Sequence, residues 1–351
     1  MKRVVSLILA AAMIMSFTAC NSTSGETSAV PSENTSSASD SEDTFVVGAL
    51  IYKYDDVYLS TVREALQEYA GTAGNIKFEC FDGQSDQGKQ LDQLDALLQD
   101  GVDCLLACMS DQSSAQTIID LVKDKDIPVV FFNREPTDIT VLKSYDKCIY
   151  IGTRAEDAGI MQGDMLAELW KANPSYDRNG DGKVQYVVMK GEADNLEAIA
   201  RTDYCQSQAK ADGLDMDPVA DPQICSWSAE NAMNATEAIL SSNHDIEAVL
   251  CNNDDMATGV ISALQSHGYN TGDESDPSII VLGVDATDAA VSAIASGYMQ
   301  GTIKQDGDAM GKACINIAEN YLTGKDVLDG VGYDLDETGV AIRIPYSPYN
   351  G

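Results

Sequence analysis

An uninterrupted apolar run, FVVGALI, stands at residues 45–51. Such a run predicts a strand that is buried on both faces, as in parallel sheets. A polar and aromatic cluster, YKYDDVY, follows at residues 52–58, and the next apolar positions recur at helical spacing. This stretch therefore predicts a strand that leads through a short loop into a helix.

The same alternation of strand and helix patterns continues through the first half of the chain. Its order, βαβαβαβ, is typical of a doubly wound parallel sheet with helices on both faces. The predicted strands are residues 45–52, 76–81, 104–108 and 129–133, and the predicted helices are 58–69, 87–98 and 113–123.

A second alternation of the same kind follows a short apolar strand at residues 148–151, where we expect the chain to cross over. Two similar α/β halves predict a two-lobed binding protein with a cleft between the lobes. The further strands are residues 185–189, 248–251, 279–284, 299–303 and 340–345, and the further helices are 156–172, 196–209, 229–240, 255–267, 289–295 and 308–322.

The residues before the first strand read as a targeting signal and a linker. A Lys-Arg pair precedes an apolar stretch at residues 4–15, which ends in small residues before Cys20. This order resembles a bacterial lipobox, in which the cysteine is lipidated, although Phe17 departs from the usual Leu. The alternative is a plain secretory signal. We expect a lipoprotein signal at residues 1–19 and a disordered tether, rich in Ser, Thr, Glu and Asp, at residues 20–43.

Composition excludes several classes of function. The chain has 351 residues, enough for two domains, and a net charge of −34. A nucleic-acid binder needs a basic face, so this balance argues against nucleic acid. Beyond the signal, no apolar run is long enough to span a bilayer, so we expect membrane attachment only through the lipid anchor. No nucleophile–base pair, phosphate loop or dinucleotide fingerprint occurs, and we predict that the protein is not an enzyme.

Eight cysteines follow Cys20. Five of them lie inside predicted apolar strands or helices, where cysteine behaves as a small hydrophobic residue. We therefore expect free thiols rather than disulfides, and the lack of a paired CxxC argues against a zinc site. The eight are Cys80, Cys104, Cys108, Cys148, Cys205, Cys225, Cys251 and Cys314.

Polar side chains follow four of the predicted strands, where ligands bind in open α/β sheets. Asp56 and Tyr58 come after the first strand, and a carboxylate beside an aromatic ring suits a sugar. Asn133, Asn253 and Asp285 follow three other strands. Each polar group alone is explained as a helix cap or loop residue, but four in one chain are more than capping predicts.

Two further residues are candidates for the cleft. Trp227 is one of two tryptophans and stands among polar residues before a predicted helix, although a core position is the alternative. Arg201 lies in a predicted helix after a turn that contains Gly and Glu, with a surface ion pair as the alternative.

The string DRNGDGKVQ at residues 177–185 follows the calcium-loop pattern D-x-N-x-D-G-x-x-Q. The twelfth position holds Val188 instead of the usual Glu, so a calcium site needs a carboxylate from elsewhere. The alternative is an Asx-rich turn without metal. The candidate ligands are Asp177, Asn179, Asp181, the Lys183 carbonyl and Gln185.

Taken together, these motifs resemble the bacterial glucose/galactose-binding proteins, which are ribose-binding-like substrate-binding components of ABC sugar importers. The resemblance is close in IYKYDD, IPVVFFNREP, the DxNxDGxxQ loop, CNNDD and GVDA, and it covers about residues 45–345. It implies the type I periplasmic binding protein fold, with two doubly wound lobes joined by a hinge. The lobes would be residues 44–151 with 305–336, and residues 152–304 with 337–351.

The resemblance also implies the residues of the sites. Glu247 would complete the calcium site, and Tyr58 and Trp227 would sandwich a pyranose ring. Tyr58 stands where the family usually has Phe, so the aromatic ring is kept. Three other positions depart from the family's usual residue: Asn195 replaces His, Glu197 replaces Asp and Gln305 replaces Asn. The implied sugar contacts are Asp56, Tyr58, Asn133, Asn195, Glu197, Arg201, Trp227, Asn253, Asp285 and Gln305.

By this resemblance the protein would be a monomer that binds a monosaccharide, with glucose or galactose ahead of ribose or xylose, and delivers it to an ABC permease. A sensor that feeds a chemoreceptor or histidine kinase is the main alternative. A sugar-responsive repressor would need a DNA-reading helix-turn-helix at the N-terminus, where this chain has a signal. A glycosidase would need two carboxylates that flank the scissile bond, for which Asp56 with Glu197 or Asp285 are candidates.

Overall fold

The computed structural model describes residues 44–242, 245–273 and 277–351. The predicted signal, the predicted lipidation site Cys20 and the predicted tether therefore lie outside the described residues. The strands in chain order are β1 (Phe45–Ile51), β2 (Ile76–Asp82), β3 (Cys104–Ala107), β4 (Val129–Phe132), β5 (Cys148–Gly152), β6 (Val184–Lys190), β7 (Met216–Pro218), β8 (Gln223–Ile224), β9 (Ala248–Cys251), β10 (Ile280–Asp285), β11 (Gly301–Lys304), β12 (Ala341–Arg343) and β13 (Ser347–Tyr349).

Helices connect most of these strands and begin within two residues of the predicted positions. They are α1 (Val57–Ala73), α2 (Gln87–Asp100), α3 (Ala115–Lys123), α4 (Ala155–Ala172), α5 (Leu196–Ala211), α6 (Ala229–Ser241), α7 (Asp254–Ser266), α8 (Asp288–Ala295) and α9 (Gly307–Thr323). Short 3₁₀ turns at Gln112–Ser114, Ile139–Ser144 and Pro174–Tyr176, and the short strands β7, β8 and β13, were not predicted.

The strands form two separate sheets, one in each lobe. Within the described residues the first sheet has the order β12-β5-β4-β3-β1-β2, and all of its neighbouring strands are parallel. The second has the order β13-β11-β10-β9-β6-β7, with β8 also paired to β6. Here β13 is antiparallel to β11 and the other pairs are parallel. The chain thus has the predicted doubly wound α/β fold in two lobes.

Each sheet is covered on both faces, as its continuous apolar strands predicted. In β1, Val47 and Ala49 belong to the core under α1 and α9, whereas Leu50 belongs to the core on the opposite face with Leu94 of α2. Successive side chains of a strand point to opposite faces, so a strand between two helical layers is apolar at nearly every position. The second sheet likewise separates two apolar cores.

One predicted lobe boundary is wrong. We assigned residues 337–351 to the second lobe, but Ala341–Arg343 pairs in parallel with β5 and extends the first sheet. Ser347–Tyr349 then pairs with β11 in the second sheet, so the chain crosses between the lobes once more after β12. The apolar pattern indicated a strand here, but it could not indicate which sheet edge the strand would join.

All eight described cysteines are free, and all except the half-buried Cys80 are buried. They pack as small apolar side chains, which agrees with the expectation from their positions. In the described ranges, no helix combines the length and apolar character needed to cross a bilayer.

Candidate ligand-binding site between the lobes

A cavity of about 410 Å³, including the part that is open to solvent, lies between the two lobes. All of the predicted sugar contacts line this one cavity: Asp56, Tyr58, Asn133, Asn195, Glu197, Arg201, Trp227, Asn253, Asp285 and Gln305.

The cavity lies at the carboxyl ends of the strands because that edge of each sheet faces the other lobe. Asp56, Asn195 and Asn253 are the N-cap residues of α1, α5 and α7, and each accepts a hydrogen bond from a backbone N–H of its own helix. Capping and lining the cavity are therefore not alternatives for these three residues. Asp285 differs, because the N-cap of α8 is Thr287.

Several lining residues have unusual backbone angles. Asn133 has φ 59°, Trp227 has φ 62° and Asp285 has φ 123°, a region that residues other than glycine rarely adopt. Such angles persist only where the surrounding structure holds them, and they concentrate at functional sites. Gly191 is required for a different reason: a Cβ there would lie 2.3 Å from the Trp227 ring. The indole thus rests directly on the backbone of Gly191.

Arg201 is buried in the floor of the cavity and ties several elements together. Its Nη1 donates to the Asn252 carbonyl at 2.8 Å, and its Nη2 donates to Gln305 Oε1 and to the Tyr346 hydroxyl, both at 2.8 Å. Its Nε is buried and has no hydrogen-bond partner within the described part of the chain. Arg201 is therefore buried and does not form the surface ion pair that was the alternative interpretation. Its Nε remains as a donor without a partner in the described residues.

The carboxyls around the cavity are held in a dry environment. Burial raises the pKa of Asp56, Glu197 and Asp285 from the ordinary carboxyl value. The positive charge of Arg134 opposes the shift at Glu197, and that of Arg201 opposes it at Asp285. Asp254, completely buried at the start of α7, accepts from Thr302 Oγ1 at 2.6 Å and from the Thr287 N–H at 2.8 Å. Burial raises its pKa to about 7. Asp254 thus supports the turn that carries Asp285.

Glu197 contacts the opposite lobe. Its Oε2 accepts from Gln112 Nε2 at 3.2 Å, and its Oε1 accepts from the Glu135 N–H at 3.3 Å. Gln112 Oε1 in turn accepts from the Leu196 N–H at 3.1 Å. The longer Glu side chain at this position thus joins the start of α5 to the first lobe.

The sequence reasoning missed three residues that also line the cavity, namely Tyr52, Leu59 and Arg134. Tyr52 follows β1 directly and Arg134 is the second residue after β4, so their position near strand ends was available as a signal.

The loop that begins at Asp177 leads into β6, which contains Gln185, and none of its residues lines the cavity. Asp177, Asn179 and Asp181 accept hydrogen bonds from backbone N–H groups of the loop itself. The buried Glu247 joins them, since its two oxygens accept from the N–H groups of Arg178 at 2.7 Å and Gln185 at 3.1 Å.

The side-chain oxygen of Gln185 is buried without a partner in the described chain. Where the structure is described, no group of three or more His, Cys, Asp and Glu side chains alone could hold a metal ion. The donor set of this loop is different, because it includes the amide oxygens of Asn179 and Gln185. Hard oxygens of this mixture are the ligands that calcium prefers, so the residues fit the ion.

The two-lobed fold and the cavity at the strand ends find a match among known families. The Periplasmic binding protein domain matches residues 47–326. The chain belongs to this family. The relatives found are extracytoplasmic solute-binding proteins and not enzymes, in agreement with the sequence analysis.

Individual relatives of this periplasmic binding protein include transport components. It is 37% identical over 303 residues to the D-galactose/methyl-galactoside binding periplasmic protein MglB of Haemophilus influenzae. This match covers 86% of this chain and 88% of the relative. It is 24% identical to the ribose import binding protein RbsB of the same species, over 86% of this chain and 92% of the relative.

A solved structure supports the same fold. An ABC transporter solute binding protein from Bacillus halodurans, with bound myo-inositol, matches with a TM-score of 0.72 and 25% identity. The match covers 89% of this chain and 96% of that one.

Proposed function

We propose that this protein captures a monosaccharide, glucose or galactose, in the cavity between its lobes and delivers it to the permease of an ABC importer. The observation that carries the proposal is the convergence of carboxylates, amides, two arginines and three aromatic rings on a single cavity. The similarity to a galactose-binding relative at 37% identity supports the choice of a hexose.

The chemistry of the cavity fits a sugar in two ways. The rings of Tyr58 and Trp227 offer apolar surfaces for the faces of a pyranose. The carboxylates of Asp56 and Asp285 accept from hydroxyls. The Nε of Arg201, which has no partner among the described residues, donates to a sugar oxygen. Hydrogen bonds to charged groups are the stronger ones, so this set favours tight binding of a polyhydroxyl ligand.

A thermal-shift screen against a panel of monosaccharides, followed by calorimetric titration, tests the proposal. We expect glucose or galactose to raise the melting temperature more than ribose, xylose or arabinose, because a ligand that binds only the folded state stabilises it. If no aldohexose shifts the melting temperature, the proposed ligand class is wrong. If hexoses bind but purified permease does not respond to the loaded protein, a sensory role replaces transport.

We further propose a structural calcium ion at the 177–185 loop. The supporting observations are the approach of Glu247 to the loop and the buried side-chain oxygen of Gln185, which has no partner among the described residues. Calcium would neutralise the carboxylates that meet there and tie β6 to the residue before β9. The ligands would be Asp177, Asn179, Asp181, the Lys183 carbonyl, Gln185 and Glu247.

Chelation tests the calcium proposal directly. Excess chelator should lower the melting temperature, and added calcium should restore it. Asp181→Ala should melt at a lower temperature than the wild type and should no longer respond to chelator. An unchanged wild-type melting temperature in excess chelator contradicts a calcium site.

We also propose that the mature protein is a monomer that is anchored through a lipid on Cys20. The support is the order of charged, apolar and small residues before that cysteine. Detergent-phase partitioning of the wild type and of Cys20→Ala tests the anchor, and it is refuted if both partition alike. Size-exclusion chromatography with light scattering tests the monomer.

A further inference from the structure

Tyr52, Arg134 and Glu192 form a polar cluster that joins the two lobes beside the cavity. Tyr52 follows β1 and Arg134 follows β4 in the first lobe, whereas Glu192 lies between β6 and α5 in the second. The Tyr52 hydroxyl donates to Glu192 Oε1, and Arg134 Nη2 donates to Glu192 Oε2 at 2.9 Å. Both carboxylate oxygens of Glu192, in the second lobe, therefore accept hydrogen bonds from the first lobe.

Arg134 connects this cluster with the cavity. It is only 6% exposed, its Cζ lies 4.1 Å from the centroid of the Tyr52 ring, and its Nη2 also donates to the Ser110 carbonyl at 3.1 Å. Its Nε is buried without a partner in the described residues, and its side chain lines the cavity. Stacking on the ring and bonding to Ser110 fix the guanidinium, so it contacts Glu192 and the cavity at the same time.

We propose that Glu192 is a positioning residue that clasps the closed lobes through Tyr52 and Arg134 and thereby sets how long a sugar stays bound. This inference rests on the proposed function. The clasp joins residues of different lobes, so its contacts exist only when the lobes lie together. An interaction that is present in one state only shifts the population toward that state. Its loss should therefore speed release of the sugar and leave the rate of association nearly unchanged.

Glu192 is the best residue for testing closure separately from sugar contact. Glu197 also joins the lobes, through Gln112 and Glu135, but it lines the cavity, and so do Tyr52 and Arg134. Glu192 is absent from the lining of the cavity in the described chain, and its side chain is 28% exposed. Replacing it should affect every bound sugar alike.

The experiment compares the wild type with Glu192→Gln. Stopped-flow tryptophan fluorescence follows the release of glucose and of galactose. We expect the dissociation rate to rise about tenfold for each bound sugar, taking the typical worth of a hydrogen bond to a charged group. Tyr52→Phe keeps the ring under Arg134 and removes the hydroxyl. In the double variant with Tyr52→Phe and Glu192→Gln, the effect on the free energy of dissociation should be smaller than the sum of the two single effects, because both substitutions remove the same contact.

Glu79→Gln is the matched control. Glu79 forms an ion pair with Lys77 at 2.6 Å, and both residues belong to β2, so this pair does not join the lobes. The same chemical change there should leave the dissociation rate unaltered.

Small-angle scattering of the sugar-free proteins separates the clasp from the proposed function. We expect a larger radius of gyration for Glu192→Gln than for the wild type, whether or not any sugar of the panel binds. If no sugar binds, the proposed function fails and the radii alone decide: equal radii overturn the clasp. If sugars bind, an unchanged dissociation rate together with equal radii overturns it. So does a rate change confined to one sugar, since Glu192 would then contact that sugar directly.

Discussion

Replacing Asp285 by asparagine is the most direct test of the proposed sugar contacts. Asp285 ends β10, is 6% exposed and has φ 123°. Positive φ angles are more accessible to aspartate and asparagine than to alanine. Asp285→Asn therefore removes the charge with little change in shape or backbone strain, whereas Asp285→Ala mixes both effects.

The expected loss follows from the environment of this carboxylate. A hydrogen bond to a charged group is worth about 1.5–3 kcal/mol, which corresponds to about 10- to 150-fold in Kd. Asparagine keeps one acceptor oxygen, so we expect a loss near tenfold for Asp285→Asn and a larger one for Asp285→Ala. Because burial raises the pKa of Asp285, wild-type affinity should also fall as the pH drops through that pKa. The asparagine variant should lack this pH dependence.

Calorimetric titration with glucose, galactose and their deoxy analogues measures the loss. It should be largest for sugars that carry the contacted hydroxyls and should vanish for analogues that lack them. Asp288→Asn is the matched control, since Asp288 is exposed in the first turn of α8 and should not affect binding. If Asp285→Asn binds every sugar as tightly as the wild type does, the proposed set of contacts is misplaced.

Three other predictions can be checked with standard assays. Trp227→Ala should weaken all hexoses alike by about 1–3 kcal/mol, on the scale of base stacking, and a loss limited to one hexose in calorimetry contradicts stacking. A chain that begins near Glu42 should keep full sugar affinity; a loss above about tenfold, 1.4 kcal/mol, would make residues 20–43 part of the fold. Because the pKa of Asp254 is raised from 3.8 to about 7, the folded state binds the extra proton, and the free energy of unfolding should fall as the pH rises between these values. Urea denaturation of Asp254→Asn should show a weaker pH dependence, and parallel curves would refute this assignment.

The sequence by itself determined the fold class. Continuous apolar runs such as Phe45–Ile51 can be buried only in a sheet covered on both faces, and the helical patterns between them left one α/β arrangement in each half. It also indicated where the cavity would form, because the polar residues at the ends of parallel strands share one edge of the sheet. Those two inferences depend on local periodicity, which a single chain displays directly.

Only the tertiary structure decided how the lobes meet. No periodicity indicates that Ala341–Arg343 joins β5 in the first sheet, because an apolar strand fits either sheet edge. The pairing of Glu192 with Tyr52 and Arg134 joins residues up to 140 positions apart. The positions of Tyr52 and Arg134 near strand ends are visible in the sequence, but nothing there indicates that both meet Glu192. Contacts between the lobes depend on the angle between the two folded lobes. That angle is set by packing at the segments that cross between them, and not by any local pattern in the sequence.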